Sequence, residues 1–203
     1  MKKLSRDFYN RDTITVSQEL LGKYLVHKVN GEELVGMIVE VEAYKGPLDK
    51  AAHSYNNRRT ERNEVMYGEA GFAYVFIIYG MYNCMNVVTE EKEKPEAILI
   101  RALEPIKGIN AMAQYRYGKS FEDLNKREQK NLTNGPGKLC KAMMITRSLN
   151  GEDLLGDSLY ITEGNKEHLE IVTSKRIGID YAEEAIHYPW RFYIKENKFV
   201  SKV

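Results

Sequence analysis

The sequence predicts an α+β fold: a single domain over residues 1–203 with a central, mostly antiparallel sheet, a protruding β-hairpin and surrounding helices. Three observations predict it. Strand-like segments group at 23–43, 72–103 and 159–194 instead of alternating one for one with helices. Two strand pairs are joined by tight turns, which force antiparallel neighbours. Helix-patterned segments fall mainly together, between 106 and 146.

Residues 13–21 read as a short helix stopped at Gly22. Segments 23–29 and 33–43 form a hairpin across Asn30-Gly31, a pair suited to a turn with two positive φ angles. Alternation within the second strand places Val35, Met37, Val39 and Val41 on one face, and Glu40 and Glu42 on the other. Residues 44–71 form a long irregular stretch of arginines, glycines and polar residues. A loop of that length is uncommon unless it has a task. Strands follow at 72–79 and 82–89, around a turn at Tyr79-Gly80-Met81-Tyr82, and at 96–103. Helices are expected at 106–117, 121–130 and 138–146, and short strands at 159–162, 170–172 and 191–194 complete the sheet.

The chain has 203 residues, 43% of them hydrophobic, enough for one core without help from a disulfide or cofactor. Its charged beginning, Met1-Lys2-Lys3, lacks the ~7–15 apolar residues of a signal peptide. No stretch reaches the ~18 apolar residues of a membrane span. Cys84 and Cys140 read as reduced thiols of a cytoplasmic protein. His27, His53, His168 and His187 lack ligand spacing, so no metal is expected. Net charge is only +1. A nucleic-acid surface would therefore depend on local clusters, such as Arg58, Arg59 and Arg62, or Lys126, Arg127, Lys130, Lys138 and Lys141.

Several positions carry possible chemistry. Glu42 ends an apolar strand, where partial desolvation would raise its basicity. Arg101 follows Ala97-Ile98-Leu99-Ile100, and a cation among apolar strand residues needs an anionic partner. The segment from Phe72 to Tyr82 holds five aromatic residues, Phe72, Tyr74, Phe76, Tyr79 and Tyr82, with Tyr79 at a hairpin tip. Tyr79 has the placement of a wedge between stacked bases, and the other rings suit a clamp on a flipped one. Asn134-Gly135-Pro136-Gly137-Lys138 precedes a helix and resembles a phosphate seat without Walker spacing.

Taken in order, the motifs Glu40-Val41-Glu42-Ala43-Tyr44, Ala51-Ala52-His53-Ser54, Tyr79-Gly80-Met81-Tyr82-Asn83-Cys84-Met85-Asn86, Arg101-Ala102-Leu103-Glu104-Pro105, Gly135-Pro136-Gly137-Lys138-Leu139-Cys140, Arg176-Ile177-Gly178-Ile179 and Arg191-Phe192-Tyr193 resemble the alkyladenine (3-methyladenine) DNA glycosylase family, over about residues 20–199. The resemblance implies a cofactor-free monomer that acts on double-stranded DNA containing damaged purines. It implies that Glu42 is the general base, and that Arg101 and the main chain near Ile177 hold the attacking water with it. Tyr44, His53 and Phe76 would face the flipped base, His53 also reaching the sugar–phosphate. Asn86 would disfavour the amino group of guanine, and Tyr79 would fill the gap in the stack. Lys138, Gly137, Arg58 and Arg59 would touch DNA backbone. Phe76 departs from the family's tyrosine, so a hydroxyl is lost while the stacking face is kept. The expected reaction is hydrolysis of the glycosidic bond without strand cleavage, on 3-methyladenine, 7-methylguanine, hypoxanthine or ethenoadenine. The alternatives are a non-catalytic lesion-binding module on the same fold and a small-molecule hydrolase or formyl-transfer enzyme. The latter would require an Asn-His-Asp constellation that the sequence does not present.

Overall fold

One long strand organises the sheet. In the computed structural model, which describes residues 2–164 and 169–202, β1 (Tyr24–Val29) and β2 (Glu32–Tyr44) form the first hairpin. Asn30 and Gly31 take φ angles of 53° and 76°, as its turn requires. Strands β3 (Ala73–Ile78), β4 (Tyr82–Thr89) and β5 (Glu96–Lys107) follow, then β6 (Leu159–Thr162), β7 (Ile171–Ser174) and β8 (Arg191–Ile194). The order is β3-β4-β5-β2-β1-β6, with β7 attached through β8 to β2. All these pairings are antiparallel. β2 pairs with β5 along one edge, and with β1 and then β8 along the other. His168 lies outside the described residues.

The helices are α1 (Arg6–Tyr9), α2 (Thr13–Leu20), α3 (Ile109–Tyr117), α4 (Lys126–Lys130) and α5 (Pro136–Ala142). α2 begins where the Asp12 carboxylate accepts the Thr15 N–H, satisfying an otherwise orphaned donor. The helix expected from 106 starts later, because Ile106 and Lys107 continue β5 and Gly108 turns the chain at φ 74°. The helix expected over 121–130 is split. Asn125 and Glu128 form a capping box, which takes Asn125 out of helical geometry and leaves only a single 3₁₀ turn at Phe121–Asp123 before it. The third starts at Pro136, not 138, since proline's missing N–H is tolerated in a first turn. It ends at Ala142, shortly before Met144 takes a φ of 55°. α1 is too short to leave a periodic signature. The stretch 44–71 contains 3₁₀ turns at Gly46–Leu48, Tyr55–Asn57 and Glu64–Tyr67.

Strict alternation does not survive along β2. Ile38 pairs with Leu103 and Glu40 with Ala102, so Val39 has no partner on β5; Val41 then pairs with Ile100, so Arg101 is skipped in turn. Such bulges re-aim side chains. Leu34 and Ile38 join the main core, yet so do Val39 and Val41, while Val35 packs with Val26 and Tyr160 in a separate cluster. Had the parity of Leu34 and Ile38 continued, Glu40 and Glu42 would point into the core. The bulge turns them to the other face of the sheet.

That core lies under α2, α3 and α5, around Leu20, Met85, Ile98, Ile100, Met112 and Leu139. Each such side chain contributes about 1.5–3 kcal/mol by leaving water. Alternation on β3 and β4 sends Val75, Met85 and Val87 into this core. It sends Tyr74, Phe76, Cys84 and Asn86 to the opposite face, where they line a cavity.

Candidate active site

The cavity has a volume of about 520 Å³, within the usual range of ~300–1,000 Å³ for small-molecule pockets. Its walls come from β2 (Tyr44), β3 (Tyr74, Phe76), β4 (Cys84, Asn86) and β5 (Leu99, Arg101), with His53 from the long loop. Segments 135–138 and 177–179 border it, and Tyr79 reaches it from the hairpin tip.

Glu42 is fully buried and does not itself line the cavity, but the three groups that hold it do. Its Oε1 accepts the Ile177 amide N–H at 2.7 Å, and its Oε2 accepts the Tyr44 hydroxyl at 3.0 Å and Arg101 Nη1 at 3.1 Å. Burial pushes its carboxyl group above the usual carboxylate range, against the opposing pull of Arg101, the Ile177 amide and Tyr44. A carboxylate offers roughly four acceptor sites. Three are used here by donors of the protein.

The Ile177 amide is placed by a buried ion pair that sequence reasoning did not single out. Arg176 Nη1 donates to Asp49 Oδ2 at 2.5 Å and to the Ala43 carbonyl at 3.0 Å, and Nη2 donates to Asp49 Oδ1 at 2.8 Å. Its guanidinium also lies 4.8 Å from the Tyr44 ring centre and 5.0 Å from that of Trp190. The pair therefore fixes both a wall ring and the backbone beside Glu42. Arg176 stood within a motif, but no local pattern joins it to Asp49, 127 positions earlier.

His53 Nδ1 lies 2.8 Å from the Tyr74 hydroxyl, and its ring meets Phe76 edge to face, with centroids 4.6 Å apart. Burial first, then Arg62 and Arg58, push the imidazole down to about 4, so it is neutral at pH 7. Asn86 is buried, lines the cavity and donates its Nδ2 to the Tyr74 carbonyl at 3.1 Å, which fixes its amide. Tyr79 is 80% exposed. At Gly137 an added Cβ would meet the Tyr82 side chain at 3.1 Å, so this close approach favours glycine. Lys138 Nζ donates to Asn131 Oδ1 at 2.6 Å and Asn134 Oδ1 at 2.8 Å.

The two predicted backbone arginines are placed differently. Arg58 is exposed outside the cavity lining, near enough to His53 to lower its basicity. Arg59 is engaged elsewhere: its guanidinium forms a bidentate pair with Glu64, donates to Glu93 at 2.7 Å and lies over the Tyr67 ring. Two cations not singled out individually stand closer. Arg62 lies 5.0 Å over the Phe76 ring, and Arg116 lines the cavity.

The family model for methylpurine-DNA glycosylases (MPG) matches residues 7–198, a span that includes every segment lining the cavity. A protein of Clostridium novyi (strain NT) is 62% identical over 202 residues, covering 100% of both chains. One of Desulfitobacterium hafniense (strain Y51) is 59% identical over 201 residues, covering 99% of each. One of Alkaliphilus oremlandii (strain OhILAs) is 60% identical over 200 residues, covering 98% of this chain and 99% of its own. All three are provisionally named 3-methyladenine DNA glycosylase. With that breadth of match, the chain belongs to the methylpurine-DNA glycosylase family.

Proposed function

We propose that this protein is a monofunctional DNA glycosylase that flips alkylated or deaminated purines out of duplex DNA and hydrolyses their N-glycosidic bond. One observation carries the reading: a fully buried carboxylate, raised in basicity, is held by three groups that all line an aromatic cavity. The extrahelical base would lie against Tyr44, His53 and Phe76, above Asn86. Tyr79 would occupy the space it leaves in the stack. The names of the relatives favour 3-methyladenine as a substrate.

In this mechanism Glu42 accepts a proton from the attacking water, oriented with the help of Arg101 and the main chain at Ile177. The water oxygen bonds to C1′ as the C1′–N bond breaks, and the electron pair leaves with the purine. The carboxylate's charge also stabilises the cationic sugar of the transition state. Cationic lesions such as 3-methyladenine and 7-methylguanine depart as neutral bases. Hypoxanthine and ethenoadenine need a proton to leave as readily. Hydrolysis leaves an abasic site. Lys138, whose ammonium is tied to two asparagines, has no part as an amine nucleophile, so no strand-cleaving step is expected.

Single-turnover release of hypoxanthine or 3-methyladenine from duplex oligonucleotides, read after alkaline cleavage, tests the reading. Glu42→Gln should keep lesion binding and lose about 10²–10⁴-fold in excision, the usual value of a positioned base. Unchanged release would remove Glu42 from that role. A wild-type protein that binds lesion duplexes without releasing a base would be a lesion-binding module instead.

A further inference from the structure

We infer that Glu40, held by Ser201, is a positioning residue of the hydrolytic site: it aims Arg101 at Glu42 and prevents Arg101 from being neutralised by Glu42 alone, a role that rests on the glycosylase reading above. Glu40 is fully buried on β2, two positions before Glu42 and turned to the same side. Its Oε1 accepts Arg101 Nε at 3.0 Å, Arg191 Nε at 2.8 Å and the Ser201 hydroxyl at 2.9 Å. Its Oε2 accepts the Ser201 amide N–H at 2.6 Å. Arg101 then reaches Glu42 with Nη1, while its Nη2 lies 3.4 Å from Ser201 Oγ. The guanidinium is thus fixed along more than one edge, and its planar fork has one orientation toward Glu42.

Ser201 is itself held in place. Val200 before it is buried, and the carbonyl of Lys202 after it accepts Arg191 Nη2. Two carboxylates, Glu40 and Glu42, face two guanidiniums, Arg101 and Arg191, so the buried cluster is balanced in charge. The other titratable groups facing Glu42 are Tyr44 on β2, Cys84 on β4 and Tyr181 in the segment after β7. Burial raises the Glu40 carboxyl, but Arg101, the Ser201 amide and Arg191 outweigh it, so Glu40 stays ionised. Its negative charge then opposes the pull of Arg101 on Glu42. Without it, Arg101 would hold Glu42 at lower basicity and be free to swing.

The test compares Glu40→Gln, Ser201→Ala and Ser201→Thr in the full chain, by single-turnover excision across pH and by affinity for a lesion duplex. Glu40→Gln should leave affinity within about twofold and slow excision by about 10- to 100-fold, the scale of a misplacement near 1 Å. It should also move the acid limb of the pH–rate profile to lower pH. Ser201→Ala keeps every charge and should slow excision about three- to tenfold, the scale of one ordinary net hydrogen bond. Ser201→Thr, which restores the hydroxyl, should recover the rate. Should Glu40→Gln fail to fold, the Ser201 pair decides alone. Wild-type rates in Ser201→Ala, or a slowed Glu40→Gln whose acid limb stays in place, would overturn the inference while Glu42→Gln still abolishes excision. Absence of base release by the wild-type protein would overturn it together with the glycosylase reading.

Discussion

His53 sits among cations and must answer to them. Its ordinary pKa near 6.5 is pushed down to about 4 by burial and by Arg62 and Arg58. Between those two values the unfolded chain binds a proton that the folded chain refuses. Folding stability therefore rises with pH across that window, is whole above about pH 6.5, and is lost as pH falls toward 4. The term is on the order of 3 kcal/mol at most. Urea unfolding of the wild type and His53→Gln at pH 4.5 and 7 should show a smaller loss on acidification in the variant. Equal losses would place the acid sensitivity on other groups. On the glycosylase reading the same depression suits His53 to its place: a neutral ring can lie against a cationic base, where an imidazolium would repel it. At Phe76 the sequence already signalled the trade of a hydroxyl for a bare ring. The edge-to-face contact with His53 keeps that ring in the wall.

At the scale of elements, the β3–β4 hairpin spends backbone strain to display a side chain. Tyr79 and Gly80 take φ angles of 53° and 70° at the tip, and Tyr79 is largely exposed. A tyrosine with positive φ costs roughly 1–3 kcal/mol, and such strain often marks functional sites. Tyr79→Ala should weaken capture of lesions in duplex DNA by more than tenfold, yet leave excision from single-stranded DNA nearly intact, since no stack needs filling there. Equal losses on both substrates would count against a wedge. This hairpin was legible from Tyr79-Gly80 between two apolar runs, as was Asn30-Gly31 for β1 and β2. Glu42, Arg101 and the cavity rings were legible because they sit in recognisable motifs. The bulge at Val39 was not, because it depends on how β2 meets β5, and no residue in 37–41 announces it. Nor were Asp49, Glu40's four contacts or Ser201, whose roles exist only once distant segments meet.

For the whole molecule, nearly equal numbers of cations and anions, 30 against 29, mean that any attraction for DNA must come from their arrangement. Most ion pairs lie away from the cavity mouth, and Arg59 is among the paired cations. Arg58, Arg62, Arg116 and Lys138 form no ion pair among the described residues; Arg116 and Lys138 line the cavity, and Arg58 and Arg62 stand close to His53. Each phosphate neutralised on duplex DNA adds about −0.9 to the slope of log K against log salt. Contacts from these four cations would together add about −3.6 to the slope for an undamaged duplex. Fluorescence anisotropy between 50 and 200 mM salt, roughly the span over which such slopes are read, should find it. Arg62→Ala and Lys138→Ala should each flatten the slope by about one unit. Arg59→Ala should leave it unchanged, because Glu64 and Glu93 already neutralise that guanidinium; a flattened slope there would mean that the pairing opens when DNA binds and that the full arginine cluster of the loop is available to the backbone.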